Sequence, residues 1–168
     1  MFKKTLTTEQ VIRKLQHYCG YQERSHHEVQ QKLYELGIWK KDHDAIIATL
    51  IEQDYLNEER FVKAYAGGRF RMKGWGRIRI CYELKQRKIS EYLIKKAMAE
   101  IPEEDYLQKM EKLITDKYDS LGSDGHLIRR KKTVDYMTGK GFESNLVIPF
   151  LSGLMASRRN SAVKDPDI

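Results

Sequence analysis

An all-α fold of three tandem three-helix repeats follows from three observations. Apolar residues recur at spacings of three and four along most of the chain, which sets them on single helical faces. No sustained run alternates apolar with polar, so a sheet is not expected. One pattern of apolar columns also returns at intervals of 51 and 53 residues: Leu33, Leu84 and Met137 begin it, and Ile38, Ile89 and Phe142 follow five residues later. Further columns hold Ile47, Met98 and Leu151, then Leu50, Ile101 and Leu154, and upstream Val29 aligns with Ile80. A repeated unit of this length buries little core alone, so three would lean on each other in an elongated, curved arrangement.

The elements follow in order. The periodicity predicts helices over 8–22, 25–37 and 42–53 in a first repeat spanning 1–56. It predicts helices over 58–73, 76–87 and 90–100 in a second spanning 57–105, and over 103–118, 126–140 and 143–156 in a third spanning 106–156. Each repeat opens with its own apolar segment: Val11, Ile12, Leu15 and Tyr18; Phe61, Ala64 and Tyr65; Leu107, Met110, Leu113 and Ile114. Ser25 and Glu28 form an S-x-x-E capping box, in which hydroxyl and carboxylate exchange hydrogen bonds with the first free backbone amides. Asp42, Asn57, Ser90 and Ser144 are further candidate N-caps. Gly37 and Gly141 fall where a helix end needs a left-handed residue. Three prolines, at 102, 149 and 166, leave long stretches free to be helical. The tail 157–168 is polar, contains proline and is expected to be disordered.

Composition narrows the function classes. Thirty-one basic against 24 acidic residues give a net charge of +7, pointing to a polyanionic partner. No stretch is apolar enough to span a membrane, and the two lysines near the N-terminus are followed by no apolar secretory core. Two cysteines, Cys19 and Cys81, make no disulfide framework and suit a reducing cytoplasm. The adjacent His26 and His27 point to different helix sides and make a poor metal pair. No phosphate-binding glycine loop, nucleophile elbow or zinc-protease motif is present, so neither enzyme nor cofactor is expected.

Charge divides unevenly: cut near 56 and 105, the segments carry 0, +4 and +3. Arg69, Arg71, Lys73, Arg77 and Arg79 form a cluster without an acid, with Phe70 and Trp75 interleaved and Gly74 and Gly76 flanking the indole. Arg129, Arg130, Lys131 and Lys132 form a second, and four consecutive residues cannot share one helix face. Such cations can neutralise phosphates, and an exposed indole can stack on a base or a guanidinium. The same residues also suit a solvated face with Trp75 buried at a helix corner; the single sign of the charge favours binding.

The run from Asp54 to Ile89 resembles the central signature of the RecX regulatory protein family, matched here by Asn57, Glu58, Arg60, Phe61, Arg71, Gly74, Gly76, Ile80, Glu83, Leu84 and Ile89. RSHHEVQQKL at 24–33 and RRKKTVDYMTGKGF at 129–142 are similar to the family's other repeats, and the resemblance covers about residues 10–156. Two departures stand out: Lys88 where the family usually has glycine, and Arg77 where it commonly has proline. The resemblance implies a non-catalytic regulator of the RecA recombinase; a cytoplasmic monomer is expected. Such a protein binds the RecA filament on single-stranded DNA, in its groove or at its end. It inhibits ATPase, strand exchange and coprotease activity, and so modulates recombination and the SOS response. Arg69, Arg71, Lys73, Trp75, Arg77 and Arg79 are then the first candidates for RecA or DNA contact, and Arg129–Lys132 the second; charge reversal at Arg71 and Arg77 is expected to weaken inhibition with helicity retained. Two other classes compete. One is a helical DNA-binding transcription regulator with 76–87 as recognition helix; the other is a scaffold repeat without nucleic-acid affinity.

Overall fold

The computed structural model describes residues 6–163, with side chains to Ser161, and the described residues form nine α-helices and no strand. They are α1 (Thr8–Tyr21), α2 (His26–Glu35), α3 (Lys40–Glu52), α4 (Glu58–Lys73), α5 (Arg77–Gln86), α6 (Glu91–Ala99), α7 (Glu103–Ser120), α8 (His126–Gly139) and α9 (Ser144–Val163). Each lies within a few residues of its periodic pattern except α9. There the helix runs through Val163 in place of a disordered tail from Ser157. Arg158 donates to Asp119 at 2.8 Å, and residues 164–168 lie outside the described residues.

Helix starts separate two kinds of cap. Ser25 and Glu28 make the expected capping box, Asn57 accepts from the Arg60 amide at 2.9 Å, and the Ser90 hydroxyl accepts from Leu93 at 3.4 Å. A further box, Thr7 with Gln10, opens α1. Asp42 is not a cap: α3 starts earlier, at Lys40 after an uncapped Trp39, and Asp42 sits in the first turn, where its charge opposes the helix dipole's positive end. Ser144 likewise lies inside the first turn of α9, because the Glu143 carbonyl accepts the first helical amides.

The repeated columns are core positions. Leu33, Leu84 and Met137 are fully buried, and Ile89, Phe142, Leu50, Val29, Ile80 and Leu151 are buried with them. Ile38, Met98 and Leu154 are half-buried. Val29 and Ile80 gain a third equivalent in Thr133, a buried hydroxyl that donates to the Arg129 carbonyl at 2.8 Å. Ala64, in contrast, is exposed, and Val62 and Ala66 turn inward beside Phe61.

The three second helices end alike. Amides of Ile38, Ile89 and Phe142 donate back to the carbonyls of Leu33, Leu84 and Met137 at 3.0, 3.2 and 3.1 Å. The residue between helix and closing amide has positive φ each time: 77° at Gly37, 58° at Lys88, 88° at Gly141. Lys88 therefore carries a side chain through a left-handed position that glycine tolerates without cost.

Packing divides the chain into two compact units, and the division falls inside α4 and α5. The first holds residues up to Gly67 with Glu83–Met98, and the second Gly68–Tyr82 with residues from Ala99 onward. Unit one centres on Val11, Leu15, Val29, Leu33, Ile46, Leu50 and Leu56. Within it Arg60 ties the first three helices to α4: it donates to Glu23 at 2.6 Å, to the Asp54 carboxylate at 3.0 Å and to the Asp54 carbonyl at 3.0 Å. That last bond holds the chain where Asp54 itself turns left-handed. Replacing Lys88 with glycine is expected to stabilise the protein by about 1 kcal/mol, read as a raised urea midpoint at unchanged m-value.

Candidate functional site

The basic segment 69–79 belongs to unit two, and its geometry comes from a close backbone crossing. The end of α4 turns at Gly74 (φ 62°), and the turn's carbonyls are met by lysines from other helices. Lys109 of α7 donates to the Arg71 carbonyl at 3.0 Å, and Lys140 to that of Lys73 at 3.2 Å. Positive charge at a helix C-terminus satisfies orphan acceptors and the helix dipole together.

The start of α5 has no capping side chain. Its first amides find tertiary acceptors instead: Gly76 donates to Lys140 carbonyl at 2.8 Å, Ile78 to Gly141 carbonyl at 3.0 Å, and Arg77 to the Tyr106 hydroxyl at 3.1 Å. The approach requires glycine on both sides. A Cβ at Gly76 would lie 2.3 Å from the Gly141 oxygen, and one at Gly141 would lie 2.4 Å from Arg79 backbone nitrogen.

Tyr106 is the centre of this joint. Its fully buried ring packs between Phe70 and Phe142, with centroids 5.7 and 5.3 Å away, and its hydroxyl donates to Glu143 at 2.5 Å. Burial first, and the Glu143 hydrogen bond second, hold the phenol well above its ordinary range. Arg77 lies over the same ring at 3.8 Å, pairs with Glu103 and sits 3.7 Å from Glu143. Its charge is already matched by two carboxylates. Reversing it would place three acids together, so the charge reversal suited to Arg77 on sequence grounds is incompatible with this packing.

The remaining candidates divide by environment. Arg79 lies over the Trp75 ring at 4.1 Å, Arg69 lies over it at 4.9 Å, and Arg79 also reaches the Gly139 carbonyl at 3.4 Å. Half-buried Trp75 thus has guanidinium partners within its own chain. Arg71 and Lys73 are exposed, and both carry their charge to solvent. In the second cluster Arg129 turns inward, over Tyr118 at 3.8 Å and bonded to the Tyr118 carbonyl at 2.8 Å, where it closes the end of α7. Lys131 pairs with Asp135 at 2.7 Å and Lys132 with Asp124 at 2.8 Å, while Arg130 is exposed. Exposed pairs of this kind contribute little to stability and remain exchangeable.

Lys109 and Lys140 extend the basic surface although neither lies in a basic run. Lys109 and Lys112 join Arg71 around a depression of about 350 Å³, in which Asp105 is the acid. Two exposed residues in the first two turns of α5 are apolar: Ile78 is 57% and Tyr82 60% exposed, one turn apart. A helix that reads duplex bases presents polar side chains and free arginines. Here Arg77 is engaged by carboxylates and Arg79 by the indole.

Comparison with known proteins places these features. Residues 57–98 match the family model of the second three-helix domain of RecX. The chain is 27% identical over 131 residues to the regulatory protein RecX of Oceanobacillus iheyensis, covering 78% of this chain and 48% of that protein. It is 42% identical over 66 residues to the RecX of Salmonella heidelberg, covering 39% of each. The chain therefore spans about half the length or less of these curated relatives. The crystal structure of RecX from Lactobacillus salivarius superposes with a TM-score of 0.76 at 20% identity, over 88% of this chain and 96% of that one.

The contrast between engaged and open arginines is measurable. Arg77→Leu is expected to cost about 2–3 kcal/mol in urea denaturation, because Glu103 and Glu143 lose their counter-charge. Arg71→Ala should stay within about 0.5 kcal/mol of the parent. The central segment 57–98 is thus similar to the second three-helix domain of RecX, most of the chain is similar in sequence to RecX regulatory proteins, and its helical fold is that of the RecX crystal structure.

Proposed function

We propose that this protein is a non-catalytic regulator that binds the RecA recombinase filament and lowers its ATP turnover, strand exchange and coprotease activity. The observation that carries the reading is the similarity to RecX regulatory proteins through the central motif, whose Gly74 and Gly76 shape the unit-two joint and whose Asn57 and Arg60 connect helices in unit one. Organisation into repeats 1–56, 57–105 and 106–156 belongs to the same reading, since a filament presents one surface repeatedly to a repeated binder.

The surface favoured for the filament is the open part of the basic segment: Arg71 and Lys73, Arg69 and Arg79 held by Trp75, with Arg130 beyond. Lys109 and Lys112 adjoin Arg71. The apolar pair Ile78 and Tyr82 suits a protein surface better than a base edge, which argues against the sequence-reading alternative. For regulation, affinity must differ between filament states, because equal binding to all of them shifts no equilibrium.

The test is DNA-dependent ATP hydrolysis by the cognate RecA with this protein added below one copy per RecA monomer. Turnover is expected to fall; unchanged turnover with active RecA and folded protein overturns the reading. The double variant Arg71→Glu, Lys73→Glu should need at least about tenfold more protein for the same inhibition. Its helicity by circular dichroism should match the parent, since neither side chain supports the fold.

A further inference from the structure

The charge-balanced first repeat holds a cleft that the regulatory surface of unit two does not use. It lies between α1 and α2 within unit one, encloses about 360 Å³ and has Leu15 and Leu36 in its lining. Volumes of this order accept a side chain or a short peptide segment. Its charged lining is of one sign: Lys14, Arg24 and Lys32, with His17 and no carboxylate.

The cations have distinct duties. The Arg24 guanidinium lies 3.9 Å over the Tyr18 ring and donates to the Tyr18 carbonyl at 3.3 Å, so it is fixed as part of the wall. Lys32 lies 5.7 Å from the same ring and pairs with Glu35 at 2.8 Å, a surface pair that an incoming carboxylate can replace. Lys14 and His17 are exposed on α1, two turns and one turn before Tyr21, which is 81% exposed. His17 and Tyr21 also border a second depression of about 500 Å³, lined by Arg13, Gln16, Gly20 and Tyr55. The ridge they form therefore has a hollow on each side.

We propose that this cleft binds an acidic peptide segment of a protein partner. An apolar side chain of the partner enters against Leu15, Leu36 and Tyr18, while its carboxylates meet Lys14, His17 and Lys32. Charge complementarity selects carboxylates, and the exposed tyrosine supplies the aromatic anchor common at the centre of protein interfaces. A nucleic acid is disfavoured. Polyphosphate affinity comes from many neutralised charges along a track, whereas the first 56 residues carry no net charge and two of the three cleft cations already have partners.

The experiment measures fluorescence anisotropy of a labelled peptide alternating Asp and Glu with Leu and Phe, titrated with the full chain. The expected result is saturable binding that the Asn/Gln counterpart lacks, weakened at least about tenfold by Lys14→Glu with His17→Glu. Tyr21→Ala, a change at an exposed position, should weaken it by a similar factor. Three results would overturn the proposal: absence of saturable binding, equal binding of the uncharged counterpart, or displacement of the peptide by an oligothymidylate that these α1 variants equally fail to bind. The assay contains no RecA, so its failure is separate from that of the filament reading.

Discussion

The contact on which unit two depends is the meeting of two glycines, Gly76 and Gly141, at a distance that admits no side chain on either. Their approach lets the start of α5 take hydrogen-bond acceptors from the α8–α9 turn, and it seats Arg77 over Tyr106. The buried phenol then satisfies Arg77's amide and Glu143 at once, while Phe70 and Phe142 exclude water. Unpaired, each of these polar groups would cost free energy comparable to a lost hydrogen bond. Satisfied together, they fix the end of α4 and the start of α5 against α7 and α9 within unit two and give the basic segment its base.

A second joint in unit one has the same logic with different chemistry. Asn57 caps α4, Glu58 accepts from the His26 amide at 3.2 Å, and Arg60 gathers Glu23 and Asp54. These are motif residues, and their work is to connect helices. The polar signature residues at 57–60 are thus architectural, whereas Arg71, which also belongs to the signature, is left exposed.

Much of this was legible in the sequence because helices report themselves through local spacing. The Leu33, Leu84 and Met137 columns, the capping box at Ser25 and the left-handed Gly37 and Gly141 all depend on neighbours within a few residues. What escaped depends on distant ones. Thr133 fills an apolar column because its hydroxyl can reach a carbonyl four residues back. Arg77 looks like its neighbours in a basic run, and only folding brings Glu103 and Glu143 to it. Lys109 and Lys140 stand alone in the sequence and become part of the basic surface through the carbonyls at the end of α4. Lys88 was visible as a departure from the family; its positive φ makes that departure a local strain.

The borrowed acceptors at the start of α5 also set an order of events during synthesis. Residues 76–78 leave the ribosome more than sixty residues before the turn at 140 and 141 that completes their hydrogen bonds. Until then the amides of Gly76 and Ile78 have only water, and Phe70 and Tyr106 await Phe142. Unit one lacks this dependence, since its core closes with residues up to Met98. The nascent chain is therefore finished at its amino-terminal unit first, and the basic surface takes its final form only once the last repeat has emerged.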